Sequence, residues 1–272
     1  MTLHSAISHG EELLRARGIE EPRWNAERLL LIAAKIDRTA LYRDINRELN
    51  EKELNLYREL LQKRSRHYPL AYLEGTEEFY GRFFHVDPGV LIPRPETEEI
   101  IRAVLSLPLP PSPKIVDLGA GSGCIPATLA IEIPNASVFA LERAIDALHC
   151  LRLNAGATRI VRGDFFAAPF LSGNFNVVTA NPPYVEEREL AELPPETLWE
   201  PHHALITESV ETMYTLLLQQ AARLLTSSGY FVFEIGYGQR ERIEALIPPH
   251  FHLLEVRNDY RSIPRCFVLR RL

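Results

Sequence analysis

From Lys114 to the C-terminus, short apolar runs, most of which close on a polar residue or a glycine, alternate with longer stretches of helical period. The runs are KIVDLG (114–119), SVFALE (137–142), TRIVRG (158–163), NVVTAN (176–181), YFVFEIG (230–236), FHLLEV (251–256) and RCFVLRR (265–271). Helical stretches such as AIDALHCLRLNAG (144–156) and VETMYTLLLQQAARLL (210–225) lie between the first five. Such alternation implies an α/β fold, a parallel sheet with helices on both faces. Ligands of these sheets bind beyond the carboxyl ends of the strands. The chemically unusual residues of this chain stand at those ends.

Residues 1–78 carry no strand pattern. EELLRARG (11–18) puts its leucines on one face and stops at glycine, EPRWNAERLLLIAAKI (21–36) carries a continuous apolar stripe, and Asn50 opens NEKELNLYRELLQKR (50–64) with Leu54, Tyr57 and Leu61 at helical spacing. A small all-helical domain is expected over 1–78. In EEFYGRFFHVDPGVLIPRPE (77–96) aromatics alternate loosely around the turn signal Asp87-Pro88-Gly89, which predicts a β-hairpin linker over 79–96. Thr97 then stands where it can cap the helix EEIIRAVLSL, opening the main domain at 97–272.

Several classes are excluded by composition. No apolar run approaches the roughly 18 residues of a membrane helix, and the N-terminus lacks an apolar signal-peptide core. A cytoplasmic protein with no membrane partner is expected. Cys124, Cys150 and Cys266 are an odd set without a Cys-x-x-Cys spacing, so they read as free thiols rather than as a disulfide frame or a metal site. Net charge is −6, of which −1 falls in residues 1–78 and −5 in the rest. Neither part shows the basic face of a nucleic-acid binder. The basic cluster Arg257, Arg261, Arg265, Arg270 and Arg271 reads as solvated strand ends. No exposed heptad or apolar patch is evident, and a monomer is expected.

The first candidate site is VDLGAGSGC (116–124), in which Asp117 is followed by Gly119, Ala120, Gly121, Ser122 and Gly123. Glycines let the backbone turn sharply and approach a ligand, and the helix that follows offers free N–H groups to an anion. The third glycine comes one residue too early for the dinucleotide fingerprint. Glu142 closes the second strand, where a carboxylate can accept ribose hydroxyls. Asp164 closes the third, where it can receive an adenine amino group, with Phe165 stacking on the ring. Three strand-end acids and a glycine loop suit S-adenosyl-L-methionine, whose sulfonium tolerates an acidic surround.

The second candidate is Asn181-Pro182-Pro183-Tyr184, at the end of the fourth strand beside the expected cofactor, so that Asn181 is expected to contact the cofactor as well. The two prolines fix the backbone. The Asn181 side-chain oxygen and the Pro182 carbonyl then form a pair of acceptors matched to the two N–H donors of a planar –NH2 group. Tyr184 offers an aromatic face to a planar amide or base. Fixed acceptors orient a weak nitrogen nucleophile and favour the positive charge it gains on attack, so positioning and electrostatics can do most of the catalysis.

DLGAGSG, the Gly163-Asp164 pair, Asn-Pro-Pro-Tyr and their order resemble the class I S-adenosylmethionine-dependent methyltransferases that act on planar amino groups, with a Rossmann-like sheet. PLAYLEGTEEFYGRFFHVDPGVLIPRPETEEI (69–100), EPHHAL (200–205) and FEIGYGQ (233–239) narrow the resemblance to the HemK/PrmC family of release-factor glutamine methyltransferases, and it covers nearly the whole chain. The resemblance implies methylation of the side-chain amide of the glutamine in the Gly-Gly-Gln loop of class 1 peptide chain release factors. It implies a cofactor loop at Gly119 to Gly123, a ribose acid at Glu142, an adenine-side aromatic at Phe165 and a substrate clamp at Asn181 to Tyr184. The Ile92-Pro93-Arg94-Pro95 segment would border the cofactor or form an interdomain turn. Glu142 departs from the family's usual aspartate, and ITESVETMY (206–214) lacks its usual glycines. Rival readings use the same tetrapeptide on DNA adenine, on ribosomal RNA guanine or on a ribosomal-protein glutamine. The first two call for a flipped base and a basic surround. A dehydrogenase or a cofactor-binding regulator could use the glycine loop but not the clamp.

Overall fold

The structure, a computed structural model, describes residues 1–272. The chain divides into two compact units, Met1–Thr76 with Pro194–Trp199, and Glu77–Leu193 with Glu200–Leu272.

The first unit is helical: α1 (Leu3–Arg15), α2 (Pro22–Ala34), α3 (Arg38–Arg43), α4 (Glu51–Arg64) and α5 (Leu70–Glu74). Side-chain caps set three of the starts. Thr2 accepts from Ser5 N, Asp37 from Ala40 N, and Asn50 forms a capping box with Glu53. α1 begins well before the EELLRARG stretch because Thr2 caps it and Leu3, Ala6 and Ile7 are buried. The core gathers Leu3, Ile7, Leu14, Leu29, Leu30, Tyr57 and Leu61, and the Tyr57 hydroxyl donates to Ala6 O at 3.0 Å. The distant segment Pro194–Trp199 belongs here because Arg64 is only 4% exposed and its charge needs partners. Arg64 reaches Glu196 at 2.5 Å and Asn25 Oδ1 at 2.6 Å. Trp199 donates its indole N–H to Arg66 O and sets its ring edge-on to Tyr68.

A hairpin of β1 (Thr76–Phe79) and β2 (Arg82–His85) follows, turning at Tyr80-Gly81. The expectation over 79–96 thus shifts toward the N-terminus. Asp87 does form a turn, its carboxylate accepting from Gly89 N at 2.8 Å, but Pro93 and Pro95 deny the chain beyond it a second strand.

The second unit contains a seven-stranded sheet. Its strands are β3 (Lys114–Leu118), β4 (Ser137–Glu142), β5 (Arg159–Arg162), β6 (Phe175–Ala180), β9 (Leu225–Glu234), β10 (Phe251–Asn258) and β11 (Pro264–Arg271). Their order is β10-β11-β9-β6-β3-β4-β5; β11 is antiparallel to β9 and β10, and the other pairs are parallel. Around it stand α6 (Glu98–Leu105), α7 (Cys124–Glu132), α8 (Ala147–Asn154), α9 (His202–Leu205), α10 (Val210–Leu224) and α11 (Arg240–Glu244). A short parallel pair, β7 (Val185–Glu186) and β8 (Ile206–Thr207), lies on the connection after β6.

Side chains alternate between two apolar layers, as the period of a strand requires. Val116, Leu118, Val178, Ala180, Phe231 and Phe233 pack with α10 on one face. Ile115, Val177 and Val232 pack with α6 and α7 on the other. Asp117, Thr179 and Glu234 continue that second series at the strand ends, so polar groups replace apolar ones where the layer meets the carboxyl edge. No helix is long and apolar enough to cross a membrane.

Candidate active site

Strand order makes the site. After β3 the chain builds β4 and β5 on one side, then returns to place β6 on the other, so the switch point lies between β3 and β6. Register does the rest. Leu118 pairs with Ala180 and Leu141, and Ala180 pairs with Phe233. The next residue along each strand is Gly119, Asn181, Glu142 and Glu234 respectively, so four groups far apart in sequence emerge at one level.

A cleft of about 880 Å³, counting its mouth, opens at this edge. That volume is within the range of small-molecule sites. Gly119, Ala120, Gly121, Ser122, Glu142 and Phe165 line one side of it; Asn181, Pro182 and Pro183 belong to the other. Leu91, Ile125 and Ala147 add apolar wall. Of the residues singled out in the sequence, Asp117, Gly123, Asp164 and Tyr184 stand behind this lining.

On the β3–β4 side the backbone is tightly specified. Gly119 N and Ala120 N both donate to Leu141 O, and Gly121 N donates to Glu142 Oε2 at 2.8 Å. The other Glu142 oxygen accepts from Ala144 N at 2.7 Å, so its longer side chain ties the glycine loop to the end of β4. Gly123 has φ +86°, and a Cβ there would stand 2.6 Å from Leu151 Cδ1; both conformation and space demand glycine. Asp117 is fully buried. Its Oδ1 accepts from Thr179 Oγ1 at 2.6 Å, while Oδ2 has no partner. Burial pushes its pKa up to about 7, with the Glu142 charge adding to the shift. Asp164 caps the short turn Phe165–Ala167 by accepting from Phe166 N, and pairs with Arg143 at 3.0 Å.

On the β6–β9 side, Asn181 Nδ2 donates to Thr97 Oγ1 at 3.2 Å, whereas Asn181 Oδ1 is buried and has no partner. Thr97 Oγ1 donates to Glu234 Oε2 at 2.6 Å, and Tyr184 OH donates to Glu234 Oε1 at 3.1 Å. Glu234 is 2% exposed, and burial pushes its pKa up to about 7 against the pull of these two hydroxyls. Burial and the Glu234 charge raise the Tyr184 phenol above its ordinary value, so it remains a donor. Gln239 Nε2 holds Tyr184 O at 2.7 Å while its Oε1 accepts from Gly236 N. Thr97 therefore does not cap α6 with its side chain. The 3₁₀ turn Pro95–Thr97 runs straight into that helix, and the buried carboxylate takes the hydroxyl instead.

The Pro93–Arg94 stretch lines the cleft, held from below by Glu200. Glu200 Oε2 accepts from Ile92 N at 3.0 Å and its other oxygen pairs with Arg94. His203 and Ala204 also reach the lining. The sequence reading did not single out Thr97, Glu200 or Glu234 as site residues. For Glu234 a signal existed: it ends an apolar run, as Asp117, Glu142 and Asp164 nearly do.

Against known proteins, residues 5–75 match the family described as the PrmC N-terminal domain, and residues 101–242 match the methyltransferase small domain. The release factor glutamine methyltransferase of Koribacter versatilis is 36% identical over 279 residues, spanning 100% of this chain and 99% of the relative. The chain belongs to the family of release factor glutamine methyltransferases. A second member, from Nitratidesulfovibrio vulgaris, is 34% identical over 99% of this chain and 95% of its own length. Among solved structures, a methyltransferase from Pyrococcus furiosus superposes with a TM-score of 0.51 at 16% identity, covering 71% of this chain and 90% of that one; the likeness is one of fold. Family membership and sheet order agree on a methyltransferase of the class I, Rossmann-like kind.

Proposed function

We infer that this protein transfers a methyl group from S-adenosyl-L-methionine to the side-chain amide nitrogen of the Gly-Gly-Gln glutamine of a class 1 peptide chain release factor. The observation that carries the reading is Asn181 Oδ1: a buried acceptor without a partner, on a proline-fixed turn, beside a cleft with a glycine loop. An orphaned buried oxygen carries a desolvation cost that a ligand N–H removes. Family membership supplies the substrate class.

The residues present fit the cofactor. Glycine loop, Glu142 and the apolar wall of Leu91, Ile125, Ala147 and Phe165 combine a ribose-accepting carboxylate with a slot for a flat base. Asp117 Oδ2 is a second unpartnered buried acceptor close behind the loop, suited to an ammonium group. When bound, the sulfonium supplies an electrophilic methyl.

On the acceptor side, Asn181 Oδ1 and the Pro182 carbonyl accept the two N–H bonds of the glutamine amide and set its plane. Tyr184 does not line the cleft: its ring packs against the core behind the lining and its hydroxyl is held by Glu234, so it steadies the turn rather than offering an aromatic face. As the nitrogen attacks and becomes positive, both acceptors gain strength, which is differential stabilisation of the transition state. The N–C bond would form as the methyl–sulfur bond breaks and leaves a neutral thioether, and the nitrogen then gives a proton to water, restoring the neutral amide.

The test is transfer of label from S-adenosyl-L-methionine to purified release factor, to the same factor with its Gly-Gly-Gln glutamine changed to alanine, to duplex DNA and to ribosomal RNA. Label on the intact factor alone is expected. Label on either nucleic acid would overturn the partner and retain the amino clamp. A factor of this kind is met in the cytoplasm, and the expectation of a monomer acting without nucleic acid stands or falls with it.

A further inference from the structure

The Asn181 side chain presents an unusual choice. Its oxygen and its nitrogen are nearly the same size, and only one orientation is productive. With Oδ1 toward the cleft, an incoming –NH2 meets an acceptor. With Nδ2 there, donor faces donor. Something in the protein has to decide between them, and the prolines cannot, because they fix the backbone and leave the side-chain amide free to turn over.

We propose that Thr97 and Glu234 are positioning residues that lock the Asn181 amide with its oxygen toward the acceptor nitrogen. This rests on the clamp reading given above and extends it to two groups that need not touch substrate. The polarity begins at Glu234. Above about pH 7 Glu234 is ionised, and an ionised carboxylate accepts and cannot donate. Facing it at 2.6 Å, the single Thr97 hydroxyl proton is committed to Glu234 Oε2. Thr97 Oγ1 is then left with lone pairs only, and it takes a hydrogen from Asn181 Nδ2 at 3.2 Å. Nδ2 is held on the protein side, and Oδ1, buried and without a partner on a residue that lines the cleft, is left over as the acceptor. The other Glu234 oxygen takes the Tyr184 hydroxyl, so one carboxylate orients both the amide and the ring of the clamp.

Three independent features converge on this chain of donors. Thr97 sits at the N-terminus of α6, packed over the sheet face on which Glu234 lies. Glu234 is level with Asn181 because Phe233 pairs with Ala180. The backbone of Glu234 is itself pinned, its carbonyl accepting from the buried Tyr214 hydroxyl at 2.8 Å. Facing charges come from Arg265 on β11, which favours the carboxylate, and from Glu96 on the turn before α6, which opposes it.

The experiment compares Thr97→Val, Thr97→Ser, Glu234→Gln, Asn181→Ala and the double variant Thr97→Val/Asn181→Ala. It reads kcat and KM for methyl transfer to purified release factor, together with S-adenosyl-L-methionine affinity by calorimetry. Thr97→Val keeps shape but removes the acceptor for Nδ2; kcat is expected to fall roughly tenfold to a hundredfold, with cofactor affinity within about threefold. Thr97→Ser restores kcat to within about threefold of the parent. Glu234→Gln keeps volume but turns an N–H toward one of the two hydroxyls, and kcat falls about tenfold; it answers the question even if the valine variant does not fold. The double variant is no slower than Asn181→Ala alone, because Thr97 acts through Asn181. A wild-type kcat in Thr97→Val or Glu234→Gln beside an impaired Asn181→Ala would overturn the positioning role and leave the clamp standing. An active Asn181→Ala would remove the clamp reading itself. Additive losses in the double variant would reassign Thr97 to a separate role and sink the proposal.

Discussion

The two halves of the carboxyl edge are built on one plan and finished differently. On each, a buried carboxylate stands at a strand end on the α6–α7 face and is met by a threonine hydroxyl at 2.6 Å, Thr179 for Asp117 and Thr97 for Glu234. Glu234 has both oxygens satisfied, and Asp117 keeps one without a partner. The β6–β9 half is thus internally complete up to Asn181 Oδ1, where the proposed clamp would hand its polarity to the substrate. The β3–β4 half, the proposed cofactor half, is left incomplete at the carboxylate itself. In this pair the carboxylate that orients other side chains is saturated by the protein, whereas the other keeps one oxygen with no protein partner.

The contrast can be broken most sharply at Asn181. Asn181→Ala is expected to lower kcat by about 10²- to 10³-fold, as loss of one fixed electrostatic partner does elsewhere, with cofactor affinity within a few-fold. Equal losses in single-turnover rate and in calorimetric affinity would erase the division between halves. Next comes the pH dependence of stability. Asp117 is pushed from 3.8 to about 7, so the folded state holds a proton that the unfolded chain has lost. Stability from this group is fully present below about pH 4 and is lost as pH rises through about 7. Melting curves of unliganded protein at pH 5 and pH 8 should show the gap between Asp117→Asn and the parent moving toward the variant at high pH, by on the order of 2–4 kcal/mol. A gap that stays constant with pH would mean Asp117 is ionised throughout.

Gly123→Ala should cost about 1–3 kcal/mol from strain and crowding against Leu151, visible as a melting temperature lower by roughly 3–10 °C. An unshifted melt would show that α8 yields freely. The smallest effect belongs to Arg143→Ala. Its partner Asp164 is about a third exposed, and Arg143 more so, which limits the pair to under about 1 kcal/mol. Cofactor affinity should change less than about threefold. A larger loss would make the pair part of the cofactor half.

What could be read from the sequence was what is local. The glycine loop and Asn-Pro-Pro-Tyr carry their chemistry within a few residues, and strand–helix alternation announces the sheet. What was hidden depends on strand order and register. Thr97 and Glu234 are 137 positions apart and meet only because β9 lies beside β6 and α6 crosses that face. Arg64 and Glu196 are separated by 132 positions, and nothing in either neighbourhood foretells the pairing. Asp87-Pro88-Gly89 misled for the opposite reason. Its local signal is real and makes a turn, but a hairpin also needs a second strand, and the prolines downstream forbid one.

The excursion of Pro194–Trp199 has a bearing on modularity. The helical unit looks like an N-terminal cassette that could be deleted or transplanted at a single joint near Thr76. Six of its residues nonetheless come from between the clamp and Glu200. Cutting at Thr76 would strip Glu196 and Trp199 of Arg64, Arg66 and Tyr68. Grafting the helices elsewhere would leave the buried Arg64 guanidinium short of its carboxylate. Exchange of this unit between relatives therefore requires two segments to travel together, which ties the history of the helical unit to that of the loop that follows Tyr184.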